Sequence, residues 1–193
     1  GCRAGGATSH GNCGTITPSH ATPLAMPGMI GEALAQVLRA DAPFRVKPRF
    51  DPALWAWMLQ FARRCNWRDF DRVNRIKAPL LMRSRRAIEA LVRDEALDCE
   101  FEALGTMYAF RDPAVFERAD SLVRALREVD VPIEVLDGAA ARAREPALND
   151  SIVGAHYNPA DGHLRPDRYV AELARRVRER GGTRGLVAVV LQV

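Results

Sequence analysis

The feature that most constrains the fold is a change of hydrophobic period near residue 100. From Asp51 to Leu97 the apolar residues recur at helical spacing; from Phe101 onward short runs of β-formers alternate with capped helical stretches. Asp51-Pro52 pairs an N-cap with a proline at the first helical position, and Leu54, Trp55, Met58, Leu59 and Ala62 form a stripe that predicts core packing. Phe70, Val73, Ile76, Leu80, Leu81, Ile88, Leu91 and Val92 continue the helical period, with Pro79 expected to kink or split that helix. Beyond the switch, strands are predicted at Leu104–Phe110, Ile133–Leu136 and Ile152–Tyr157. Helices are predicted after Asp112-Pro113, after Asp137 and from Asp167 to Arg180. This pattern implies an α+β or α/β class, a helical region followed by a mixed sheet with helices on one face.

Ahead of all this lies Ala7-Thr8-Ser9-His10-Gly11-Asn12-Cys13-Gly14-Thr15-Ile16-Thr17-Pro18-Ser19-His20, crowded with small and hydroxylated residues. Gly11 and Gly14 allow close backbone approach, and Thr8, Ser9, Asn12 and Thr15 offer short hydrogen-bonding groups. A phosphate loop would need Lys and Ser/Thr where Asn12 and Cys13 stand, and no G-x-G-x-x-G is present. A ligand-hugging loop and a structured turn both remain open. After Pro27-Gly28 a helix is expected with Ile30, Leu34, Val37 and Leu38 on one face, then an extended link over Phe44–Phe50.

Hydrophobic content of 48% and charged content of 27% are those of a globular chain. The net charge of +4 comes from 28 basic residues, only two of them lysine, interspersed with acids as in Arg68-Asp69-Phe70-Asp71-Arg72. That is the pattern of ion-paired solvated faces, so no nucleic-acid partner is expected. Cys2, Cys13, Cys65 and Cys99 form no C-x-x-C, and His10, His20, His156 and His163 show no metal-ligand spacing; reduced thiols and no metal are expected. No run approaches the ~18 apolar residues of a spanning helix.

The segment from Ala7 to His20, followed by Pro23 and Pro27-Gly28, resembles the S-x-x-N-x-G-x-I-x-P-S-H stretch of the bacterial D-amino acid dehydrogenase family of FAD-dependent oxidoreductases. Arg49–Trp57, Leu104–Met107, Glu145–Leu148, Gly154–Tyr157 and Asp161–Pro166 are similar to that family in the same order. The resemblance implies a partial FAD-dependent oxidoreductase fold, an internal piece without the family's glycine fingerprint or its later flavin-contacting segment. It assigns 1–28 to a remnant of the FAD-binding domain, 29–99 to a helical region, 100–180 to a substrate-binding domain with a mixed sheet, and 181–193 to a terminal strand. FAD is the implied cofactor, with Thr8, Ser9, Asn12, Cys13 and Gly14 toward it, and a packing role for Cys13. A D-amino acid is the implied substrate, oxidatively deaminated to a 2-oxo acid and ammonia, with His20, Tyr157 and Arg165 as candidate contacts. Arg165 is the natural fork for the substrate carboxylate. The resemblance further implies a cytoplasmic enzyme, free or peripheral to the inner membrane, whose fragment alone is inactive. A glycine- or sarcosine-oxidase-type enzyme and a noncatalytic module that binds a protein partner are the alternatives.

Overall fold

The computed structural model describes residues 11–31 and 50–182. Thr8 and Ser9, the helix expected beyond residue 31, most of the Phe44–Phe50 link and the apolar run from Leu186 to Val193 lie outside the described residues. The elements in order are β1 (Thr15–Ile16), a 3-10 turn (Pro18–Ala21), α1 (Pro52–Arg64), α2 (Trp67–Asp94), β2 (Thr106–Phe110), α3 (Pro113–Arg118), α4 (Asp120–Arg127), β3 (Glu134–Asp137), α5 (Gly138–Arg144), β4 (Gly154–Asn158), β5 (Gly162–His163) and α6 (Pro166–Glu179). Helices and strands are intermixed, as the change of period implies.

Local capping chemistry accounts for several helix starts. Asp51 accepts from Leu54 N, Asn66 from Asp69 N, Asp112 from Ala114 N and Asp137 from Ala140 N, each satisfying a donor that has no partner within its helix. Three differences from the expectation are informative. α2 runs unbroken through Pro79, which is exposed. The expected single helix after Asp112 is divided at Ala119 into α3 and α4. In α1 no residue is buried, and Trp55 and Leu59 are half exposed, so among the described residues its stripe faces no core.

The main sheet has the order β2-β4-β3, and both pairings are antiparallel. Alternation along β4 sends Gly154, His156 and Asn158 to one face and Ala155 and Tyr157 to the other. Helices cover both faces rather than one. Phe116 of α3 stacks near Phe110 and His156 on the first, while Ala141 of α5 joins Ile152 and Ala155 in a buried cluster on the second. Gly154 is required here, because an added Cβ would meet the Phe116 ring at 2.5 Å.

α2 supplies the long wall. Its buried residues are Phe70, Asn74 and Ala78, one per helical turn, and Ala78 packs with Ala21, Val123, Leu126, Val131 and Ile133. The smallness of Ala78 lets the 3-10 turn lie close against the helix. Ile76 and Leu80, counted in the expected stripe, are exposed.

His156 is 2% exposed, and its Nε2 has no hydrogen-bond partner. Burial pushes its pKa down, Arg127 adds to the effect and Asp120 opposes it. The unfolded chain therefore binds a proton, near an ordinary value of about 6.5, that the folded chain refuses. Stability should be complete above that value and fall as pH drops through it. Thermal melts at pH 7.5 and pH 5.5 are expected to show the fall, and His156→Phe should flatten that pH dependence; an unchanged dependence would assign it to other groups.

Candidate functional site

β5 is the hub that fixes the loop resembling the flavin segment. Thr15 pairs with His163 and Ile16 with Gly162, while Glu102 bridges His163 from the opposite side. Leu164 N donates to Gly14 O at 3.0 Å, and Arg165 N donates to Cys99 O at 2.8 Å. Gly14 itself adopts φ +71°, and a Cβ there would overlap the Leu164 carbonyl oxygen and crowd Pro166 Cδ at 3.0 Å. Glycine is thus required twice over, by conformation and by space. Asn12 Oδ1 accepts from Gly14 N at 3.0 Å, tightening the loop from within. Asn12 and Cys13 are exposed. Hydrogen bonds from Thr15 hold the Cys13 thiol below its usual pKa.

The turn that follows is anchored on a buried carboxylate. Asp161 is fully buried and accepts from Ser19 N at 3.0 Å and from Ser19 Oγ at 2.6 Å. Its own backbone carbonyl takes Gly105 N at 3.1 Å. The neighbouring Ala160 carbonyl accepts Arg85 Nε at 3.0 Å, and the Arg85 guanidinium also pairs with Glu89. From the other side Lys77 Nζ donates to His20 O at 3.1 Å and Thr22 O at 3.4 Å.

With the turn fixed in this way, His20 projects outward. Its Nε2 lies 2.7 Å from the Tyr108 hydroxyl and its Nδ1 3.4 Å from Thr17 Oγ1. Burial, then the Asp161 charge, push the Tyr108 pKa up, while the Ser19 hydroxyl pulls it down. A cleft of about 320 Å³ opens between this turn and α2, lined by Thr15, Ile16, Thr17, Pro18 and His20 on one wall and Lys77, Leu81, Ser84, Arg85 and Ile88 on the other. Its lining combines apolar side chains with the hydroxyl residues Thr15, Thr17 and Ser84, the cations Lys77 and Arg85, each bonded to a backbone carbonyl, and the His20 imidazole. Such a cleft suits a small ligand with an anionic end.

The model of the family described as FAD dependent oxidoreductase matches residues 1–184. The chain belongs to that family. It is 35% identical over 157 residues to the D-amino acid dehydrogenase of Phenylobacterium zucineum, covering 80% of this chain and 37% of the relative. It is 34% identical over 190 residues to D-amino acid dehydrogenase 2 of Pseudomonas aeruginosa, covering 95% of this chain and 44% of the relative. The chain therefore spans less than half the length of the curated relatives it matches. Among solved structures, glycine oxidase from Geobacillus kaustophilus superposes with a TM-score of 0.50 at 23% identity, over 55% of this chain and 30% of that one, a likeness of fold.

FAD-dependent oxidoreductases need a place for a flat, largely apolar ring system with a polar edge, and the residues around β1 fit one. Asn12, Cys13 and Thr15 are short and exposed, while Gly14 is buried, its backbone N–H taken by Asn12 and its carbonyl by Leu164 N. Ile16, half-buried in β1, offers apolar contact beside them.

Of the three expected substrate contacts, only His20 lines the cleft. Tyr157 projects from the opposite sheet face to Tyr108, its neighbour in β2 being Met107. Its hydroxyl donates to Leu104 O at 2.8 Å, its ring fills the space above Gly105, and the Arg144 guanidinium lies 4.1 Å from the ring centroid. Arg165 is clamped by Asp167, with Nη2 to Oδ2 at 2.8 Å and Nε to Oδ1 at 3.2 Å. A guanidinium that already holds a carboxylate bidentately has its fork occupied. The sequence alone did not single out Lys77, Arg85, Ser19, Tyr108 or Asp161. A signal existed for Lys77, one of only two lysines in an arginine-dominated chain.

Proposed function

We propose that the protein carrying this chain oxidises D-amino acids to imino acids, which hydrolyse to 2-oxo acids and ammonia. FAD, when bound, supplies the hydride acceptor. Asn12, Cys13 and Gly14, together with Thr8 and Ser9, are the residues that would hold the FAD. The substrate enters the cleft with its carboxylate toward Lys77, since Arg85 is held by Glu89 and the Ala160 carbonyl, and with its amino group toward His20. The observation that carries this reading is the cleft itself: cations on one wall and an imidazole on the other, next to the glycine loop, match the two charged ends of an amino acid. Arg165 takes a structural part in this assignment, ordering the start of α6 through Asp167. Tyr157 buttresses Gly105 at the rim of the sheet.

The test is anaerobic mixing of the FAD-loaded full-length protein with single amino acids while flavin absorbance is followed. Bleaching by D-amino acids and not by their L-enantiomers is the expected result. Reduction by glycine or sarcosine alone would move the assignment to that class of amine oxidation. No reduction by any of them would overturn it.

A further inference from the structure

The cleft has a polar end and an apolar end. Its two walls run antiparallel: Lys77 Nζ donates to the His20 carbonyl at one end, and Ile16 and Ile88 pack into the same apolar cluster at the other. Every lining residue of α2 lies at Lys77 or beyond it toward the C-terminus, and Lys77, Leu81, Arg85 and Ile88 form one stripe of the helix. From its charged end the cleft thus extends along α2 toward Ile88. Leu81, one turn beyond Lys77, is half-buried and packs against the core cluster that contains Ala78. Arg85 stands between Leu81 and Ile88, but its guanidinium is paired with Glu89 and its Nε is bonded to the Ala160 carbonyl.

We propose that this cleft selects D-amino acids with an uncharged apolar side chain of leucine or methionine size, and that Leu81 is the residue that sets the preference. The inference rests on the oxidation proposed above. With the carboxylate at Lys77 and the amino group at His20, the side chain is the substituent left to occupy the length of the cleft. Lys77 and Leu81 are four residues apart, about 6 Å along the helix axis. From the carboxyl carbon of leucine to its δ-carbon there are four bonds of about 1.5 Å, spanning about 5 Å once their zigzag is allowed for. A side chain of that length ends on Leu81. The methyl group of alanine stops well short of it.

Charged side chains fare worse in either sign. A lysine or arginine side chain would be brought toward the Arg85 cation, whose one acidic partner, Glu89, is already engaged. An aspartate or glutamate side chain would give up water beside that same neutralised guanidinium and gain no free counter-ion. An apolar side chain meets neither cost. Its contact with Leu81 and Ile16, both half-buried in the free cleft, removes further apolar surface from water, and the gain grows with the area covered.

Two measurements on the FAD-loaded full-length protein test the proposal. In the first, kcat/KM is compared for D-leucine, D-methionine, D-alanine, D-aspartate and D-lysine. D-leucine and D-methionine are expected to exceed the other three by about tenfold or more, the lower end of what missing methylenes cost in an apolar pocket. Leu81→Ala should bring the D-leucine to D-alanine ratio below about threefold, with the loss in KM rather than kcat, because the contact is the same in ground and transition states. Leu81→Met, which conserves volume, should keep the wild-type order. Equal kcat/KM values across the wild-type series, or an equal loss on every substrate in Leu81→Ala, would overturn the assignment and leave the oxidation standing. The second measurement is independent of oxidation: calorimetric titration with 4-methylpentanoate and with acetate, carboxylates that lack the amino group. The longer acid should bind about tenfold or more tightly in wild type and lose that advantage in Leu81→Ala; equal binding of the two acids would overturn the apolar subsite. A protein that no D-amino acid reduces would overturn the oxidation and the substrate class together, and the titration would then show separately whether Leu81 receives an apolar chain.

Discussion

Gly14→Val is expected to detach the loop from β5 and to lower the thermal midpoint of the chain by on the order of 10 °C. The left-handed conformation at φ +71° costs a side chain about 1–2 kcal/mol, and β-branching makes it an outlier. The greater cost is steric. The position a Cβ would take is held by the Leu164 carbonyl and the Pro166 ring, both backbone-fixed, so the loop must move rather than a side chain. Displacement by even a fraction of an ångström breaks the Leu164 N to Gly14 O bond and the two-residue β1–β5 ladder. Overpacking of this kind adds about 1–3 kcal/mol, and each kcal/mol moves the midpoint of a chain this long by about 2–4 °C. Far-UV circular dichroism should retain the signal of α1 and α2, while limited proteolysis should open the chain near Gly14. In the FAD-loaded full-length protein, flavin content should fall with the loop. Wild-type melting with flavin lost would show that the space beside Gly14 belongs to the cofactor; wild-type melting with flavin retained would refute both constraints.

Asp161→Ala should be nearly as damaging, through desolvation instead of overlap. It strips both acceptors from Ser19, leaving a backbone N–H and a hydroxyl unpaired at a residue that is 5% exposed. Each orphaned group costs about 1–3 kcal/mol. The 3-10 turn should then separate from the sheet, carrying His20 away from Tyr108. Asp161→Asn keeps the shape and one acceptor, and the Ser19 hydroxyl can rotate to accept from the new amide. It should therefore recover most of the lost stability. Chemical denaturation of the two variants beside wild type gives the measurement; an Ala variant as stable as the Asn variant would show that the carboxylate does not organise the turn.

What the sequence disclosed follows the range of the interactions involved. Asp51, Asp112 and Asp137 announce their helices because a cap bonds an amide two or three residues on. Gly14 was conspicuous because few residues tolerate what its backbone does. The clamp on Arg165 was also local, since Asp167 is its neighbour but one, yet an arginine beside an acid reads equally as a free fork or a filled one. Tyr157 was beyond reach: its partner, the Leu104 carbonyl, is 53 residues away. So was the importance of Asp161, which depends on a serine 142 residues earlier. The burial of Asn74, whose Nδ2 donates to Ala125 O at 2.8 Å, runs against ordinary hydropathy and becomes intelligible only once α4 lies against α2. The α1 stripe shows the converse, since periodicity gives the side on which a helix is apolar and nothing about what lies opposite.

The brevity of the β1–β5 ladder has a kinetic meaning. Two residue pairs and the Ser19–Asp161 contact close a circuit of 142 residues, and the entropy of joining ends so far apart grows to about 4 kcal/mol. The contacts of the main sheet, and those of the His20 turn with α2, can form before that circuit closes, whereas the glycine loop gains its place on β5 only afterward. Folding should thus complete the cleft last, and thermal fluctuations should open it first, with amide protons of Thr15, Ile16 and Ser19 exchanging well ahead of those in β4.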